Sequence, residues 1–165
     1  MITYRTGNLL EAHVDALVNT VNEVGVMGKG VALQFKEGFP DAARTYMEAA
    51  KRGEVRVGHV FVTTSDALSG PRWVIHFPTK RHWRHPSRLE WVRDGLADLR
   101  RVISDLGIRS IALPSLGCGN GGLDWSDVRR LIEEALGDLE GVAVVVYEPS
   151  ARFAAAAKLQ GVERL

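Results

Sequence analysis

A single cysteine, Cys118, stands in a chain of 165 residues. One thiol excludes an internal disulfide and any multi-cysteine zinc or iron–sulfur centre. Apolar runs are short, and none approaches the roughly 20 residues needed to span a bilayer. The start, Met1-Ile2-Thr3-Tyr4-Arg5, lacks a basic stretch followed by an apolar leader, so a cytoplasmic protein with no membrane partner is expected. Charge of one sign is missing as well: Lys plus Arg is 21 and Asp plus Glu is 20, a net of +1. That balance excludes a generally polybasic nucleic-acid coat and an acidic disordered tail. The five histidines, His13, His59, His76, His82 and His85, fall in no H-E-x-x-H or comparable ligand spacing, so no metal site is expected. What is present is 45% hydrophobic and 25% charged residues, the profile of one globular domain of ordinary length.

Short β-branched runs alternate with longer amphipathic stretches. The runs Ala16-Leu17-Val18, Val60-Phe61-Val62, Trp73-Val74-Ile75-His76-Phe77, Ile111-Ala112-Leu113 and Val142-Ala143-Val144-Val145-Val146 predict strands. The unbroken apolar character of the last two points to central strands covered on both faces. From Leu89 to Leu106 the apolar residues fall at steps of three and four, the period of a helix with one buried side. Ser87 and Glu90 form a capping-box pattern at its start. A second helix is expected from Pro40 to about Arg52, and a third from Asp124 to about Gly137, burying Trp125, Val128, Leu131, Ile132 and Leu136. Residues Ala151 to Leu165 read as a terminal helix. The fold expected is α/β, three layers around a central mixed sheet of about six strands, with residues 1–150 as the domain and 151–165 as its helical extension.

Two glycine clusters follow strands: Gly25-Val26-Met27-Gly28-Lys29-Gly30 and Gly117-Cys118-Gly119-Asn120-Gly121-Gly122. Each is either a flexible turn or a cradle of backbone N–H groups for an oxyanion; two in matching topological positions favour a diphosphate ligand. The second also spells G-x-G-x-x-G and is followed by a helix, a strand and Glu148, as in a dinucleotide fold. The chain is too short after Glu148 for the further βα units that fold requires. A Walker A loop is excluded because Val31 stands where its lysine must be.

In order along the chain, Thr6-Gly7-Asn8-Leu9-Leu10, Asp15 to Asn22, Gly28-Lys29-Gly30-Val31-Ala32 and Pro114 to Gly119 resemble the macrodomain family, the ADP-ribose-binding α/β module. Phe77-Pro78-Thr79-Lys80 and Gly117 to Trp125 are similar to its DarG-type antitoxin branch, which removes ADP-ribose from thymidine bases in DNA. The resemblance implies that Asn8 and Leu9 lie near the adenine, with Tyr147 at the rim on that side. It implies that Thr20 and Asn22 meet the distal ribose. Gly28, Lys29, Gly30 and Val31, with Thr79, Ser115, Gly117, Cys118, Gly119, Asn120 and Gly121, would enclose the diphosphate and substrate. Two departures stand out. Many macrodomains have an aspartate where Asn8 stands, and a protein-directed relative has an acid where Gly121 stands.

Glycoside hydrolysis ordinarily uses a carboxylate pair, and the motif loops carry none. By residue type alone Lys80 is a solvated lysine; with the resemblance it is the candidate catalytic group, either attacking C1 of the opened ribose or moving a proton. Nucleophilic or general-base action needs a neutral amine, so burial or a neighbouring cation must lower its pKa, a demand with which Arg81 and Arg84 are compatible. Cys118 is the alternative nucleophile, disfavoured because a thiolate would repel phosphate. Lys80-Arg81-His82-Trp83-Arg84-His85-Pro86-Ser87-Arg88 holds four cations and no acid. It is either a solvated run or a nucleic-acid surface in which Arg81, His82, Trp83, Arg84 and Arg88 contact DNA. The expected activity is release of ADP-ribose from thymidine in single-stranded DNA, without a cofactor, by a monomer. The expected partners are ADP-ribose, ADP-ribosylated single-stranded DNA and a DarT-type toxin, the last engaged through a region outside this chain. The alternatives are a non-catalytic ADP-ribose-binding module and a glycohydrolase acting on ADP-ribosylated glutamate.

Overall fold

The computed structural model describes residues 1–65 and 68–149; the helix expected over 151–165 lies outside the described residues. Six strands form one sheet: β1 (Ile2–Arg5), β2 (Ala16–Asn22), β3 (Phe61–Thr64), β4 (Trp73–Lys80), β5 (Ser110–Pro114) and β6 (Ala143–Tyr147), in the order β1-β6-β5-β2-β4-β3. All neighbours are parallel except the antiparallel β3–β4 pair. The helices are α1 (Gly30–Gly38), α2 (Pro40–Lys51), α3 (Leu89–Asp105) and α4 (Trp125–Leu136). One core gathers α3 and α4 residues such as Leu96, Leu99, Val128 and Ile132 against Val18, Ile75 and Phe77. The other gathers Phe35, Ala43 and Tyr46 of α1 and α2 against Leu17, Val74 and Ala112. Alternating residues of β2, β4, β5 and β6 therefore enter opposite cores, which makes the expected three layers.

The ends of the elements refine the sequence reading. Pro40 opens α2, and Asp124 caps α4 by accepting from the Ser126 N–H at 2.8 Å. The expected capping box at α3 does not form. Arg88 is the N-cap and makes no side-chain bond, while Ser87 Oγ is buried against the second glycine loop. Packing against that loop, not the helix end, claims the serine. β2 runs on past Val18 to Asn22 and is buried almost throughout, whereas β6 leaves Val145 and Tyr147 half-buried. β1, α1 and a short 3₁₀ turn at Leu9–Glu11 were not expected; each is short or polar enough to lack a clear period. Gly95 lets α3 approach the sheet, since a Cβ there would lie 2.5 Å from the buried Phe77 ring.

A polar cluster is locked between β2, β3 and β4. His76 is 1% exposed and stacks on Tyr46 at 5.1 Å. Thr63 Oγ1 donates to Val74 O at 3.0 Å, so its oxygen accepts from His76 Nε2 at 3.0 Å. That leaves Nδ1 to accept from Asn19 Nδ2 at 3.3 Å, and the ring is the neutral Nε2–H tautomer. Burial pushes the His76 pKa down to about 3.

Candidate functional site

Because β2, β4, β5 and β6 are parallel, their C-terminal ends gather on one sheet edge. That edge also lies where successive connections leave for opposite faces, the usual place for a ligand crevice. At the end of β2, Asn22 Oδ1 accepts from the N–H groups of Val24, Gly25 and Val26 at 3.0–3.2 Å, and its Nδ2 donates to Val26 O at 2.9 Å. Tyr46 donates to the Asn22 carbonyl at 2.6 Å. The amide expected at the ribose thus builds the first glycine loop. Thr20 is half-buried on the same strand and Thr79 is buried on β4. Lys29 caps α1, and Gly30 takes φ 58°, a conformation that favours glycine. A Cβ on Gly30 would stand 4.0 Å from Asn120 Nδ2, so the two glycine loops meet there.

The second loop closes on itself. Cys118 N–H donates to Ser115 O, Gly122 N–H to Gly119 O and Leu123 N–H to Gly117 O, at 3.0–3.3 Å. Ser87 N–H donates to Gly121 O at 3.0 Å. A Cβ on Gly121 would lie 2.3 Å from Ser87 Oγ and 2.4 Å from Gly117 O. No side chain fits there, and so no carboxylate. Burial, with Asp124 and Asp127 adding, pushes the Cys118 thiol up to about 12. It stays protonated at neutral pH, which removes it as a nucleophile.

Lys80 is the last residue of β4 and not, as expected, the first after it. Its Nζ donates to Asn120 O at 3.0 Å and to Trp83 O at 3.3 Å. The amine therefore sits where the second glycine loop meets the basic segment. Its pKa is lowered, first by burial and then by Lys29. Arg81 and Arg84, the neighbouring cations compatible with that role, stack elsewhere: Arg81 lies 5.3 Å from the Trp91 ring centroid and Arg84 4.6 Å from that of Trp83. His82 stacks on Trp83 at 5.4 Å, and Arg88 lies 5.5 Å from the Trp91 centroid.

A cavity of about 350 Å³ opens along the same edge. Five expected residues line it: Asn8, Leu9, Val31, Ser115 and Tyr147. Asn8 Oδ1 accepts from Leu10 N–H at 3.0 Å and so caps the 3₁₀ turn. Gly7, Gln34, Pro114 and Glu148 line it as well. Glu148 was visible as an acid at a strand end, but Gln34 had no signal because α1 itself was unforeseen. Trp91 falls outside the apolar stripe of its helix and is half-buried. Among the described residues no helix is long and apolar enough to cross a membrane.

The Macro domain family model matches residues 18–132. A DNA ADP-ribosyl glycohydrolase of Thermus aquaticus is 60% identical over 149 residues, covering 90% of this chain and 41% of that protein. One of Mycobacterium tuberculosis is 53% identical over 165 residues, covering 100% of this chain and 46% of that protein. The chain thus spans less than half the length of these curated relatives. Among solved structures, the macrodomain of Mycobacterium tuberculosis DarG superposes with a TM-score of 0.89 at 55% identity, covering 91% of this chain and 99% of that one. Thermosipho africanus DarTG in complex with ADP-ribose superposes with a TM-score of 0.84 at 34% identity, covering 90% and 41%. With its sheet order, its two glycine loops and these matches, the chain belongs to the Macro domain family.

Proposed function

We propose that this domain hydrolyses the glycosidic bond between ADP-ribose and thymidine in single-stranded DNA, and so reverses a DarT-type DNA ADP-ribosyltransferase. The observation that carries the reading is the position of Lys80, whose Nζ bridges Asn120 O of the glycine loop and Trp83 O of the basic segment. An ADP-ribose diphosphate in the glycine loops and a strand on the basic segment would meet at this amine. The names of the relatives, DNA ADP-ribosyl glycohydrolase at 53–60% identity, support the same substrate. The ADP-ribose complex of Thermosipho africanus DarTG supports the ligand.

In the reaction the C1–nitrogen bond to the base breaks, the oxygen of water ends on C1, and a water proton ends on the base nitrogen. Asn8, Leu9 and Tyr147 would hold the adenosine, and Gly28 to Val31 with Gly117 to Gly121 the diphosphate. Lys80 would act on C1 or on the proton. The lowering of its pKa by burial and Lys29 raises the neutral fraction that attack on C1 or proton abstraction from water needs. The absence of space for a carboxylate at residue 121 counts against the reading as a glycohydrolase of glutamate esters, in which an acid stands at that position.

The test compares ADP-ribose release from a thymidine-modified oligonucleotide with release from ADP-ribosylated glutamate. Release from the oligonucleotide is expected, and Lys80→Ala is expected to lower it by about 100-fold or more while free ADP-ribose binds as in the wild type. Near-normal turnover by Lys80→Ala would remove the lysine from the chemistry. Wild-type binding of ADP-ribose without turnover on any modified substrate would leave a binding module.

A further inference from the structure

Of the four tryptophans, Trp73 and Trp125 pack against the core beneath α3 and α4. Trp83 and Trp91 belong to neither core, and both flank the segment that leaves Lys80. Trp91 is half-buried in the first turn of α3. Its ring carries two guanidinium groups, Arg81 at 5.3 Å and Arg88 at 5.5 Å from the centroid. Arg81 begins the 81–88 segment and Arg88 ends it, so one indole ties both ends of the segment. Both arginines are exposed. The pairing of Arg88 with Glu90 at 3.4 Å is between two exposed side chains and competes weakly.

A guanidinium seated on an aromatic ring keeps its N–H edge available to phosphate oxygens and has less freedom left to lose on binding. We propose that Trp91 is a positioning residue that holds Arg81 and Arg88 as paired phosphate anchors for the single strand carrying the modified base. The inference rests on the DNA reading above for the identity of that strand. The neighbouring Trp83, 40% exposed, carries Arg84 at 4.6 Å and His82 at 5.4 Å on its ring, a further cation–aromatic pair beside the first.

The test measures binding of a fluorescein-labelled, unmodified oligothymidine by anisotropy across a salt series, with free ADP-ribose calorimetry beside it. Trp91→Leu is expected to weaken oligonucleotide binding about tenfold and to flatten the salt slope by about one to two phosphate contacts. Trp91→Tyr is expected to retain most of the affinity, and both variants to bind ADP-ribose normally. In the Trp91→Leu background, Arg81→Gln should cost little, because the arginine acts through the ring. Wild-type-like binding by Trp91→Leu, parallel loss of ADP-ribose affinity, or full additivity with Arg81→Gln would each overturn the inference. Oligonucleotide binding or turnover absent from the wild type would instead overturn the DNA reading.

Discussion

Gly121 limits what the second loop offers chemically. Its missing side chain lets Gly117 O and Ser87 Oγ approach to distances that a Cβ would violate, and Ser87 N–H reaches its carbonyl. Gly121→Ala is therefore expected to lower unfolding stability by about 1–3 kcal/mol, the usual cost of overpacking, and to weaken ADP-ribose binding, measured by urea unfolding and calorimetry. Unchanged values in both would mean that the loop yields freely. At the same scale the Cys118 thiol, pushed up to about 12 by burial, illustrates how a residue type suggests a reactivity that its surroundings remove. Lys80 illustrates the reverse. Its place in the sequence marked it as a candidate, and the Trp83 carbonyl is a local partner, but the Asn120 carbonyl that also holds it and the Lys29 charge beside it come from two distant segments. Their approach has no period or spacing that the sequence displays.

At the scale of elements, the 81–88 segment joins β4 to α3 and concentrates cations on a chain whose net charge is only +1. Substituting Arg81, Arg84 and Arg88 together by Gln is expected to slow hydrolysis of a modified oligonucleotide tenfold or more at moderate salt. Free ADP-ribose binding should stay within about twofold, by calorimetry. Equal losses in both would remove the segment from the DNA surface. The helices were the more legible elements: α2, α3 and α4 begin and end within a residue or two of their sequence-based limits, because proline, aspartate and a 3.6-residue period act locally. The strands were less so. β2 and β4 extend beyond their apolar runs through Asn22 and Lys80, since pairing with neighbours, not side-chain type, sets where a strand stops. The Ser87–Glu90 capping box failed for a related reason: a motif of local spacing lost to a tertiary contact with Gly117 and Gly121.

Across the whole molecule, the buried His76 links stability to pH. Its folded pKa is about 3, against about 6.5 when unfolded. Below about pH 6.5 the unfolded chain therefore takes up a proton that the native state refuses, so stability falls as acid is added, down to about pH 3. His76 alone contributes a slope of up to about 1.4 kcal/mol per pH unit in that window. Urea unfolding of His76→Asn between pH 6.5 and 4.5 should show a flatter dependence than the wild type; identical slopes would mean that the ring titrates normally. The sequence by itself determined the α/β class, the two glycine loops, the three long helices and the cationic segment, because each depends on residue type at short spacing. Only the tertiary structure decided which of these meet. Parallel pairing of β2, β4, β5 and β6 brings their ends to one edge, where Lys80 joins Asn120 to Trp83 and Trp91 gathers Arg81 and Arg88. Those contacts depend on long-range strand order and helix packing, which no local pattern of residues encodes.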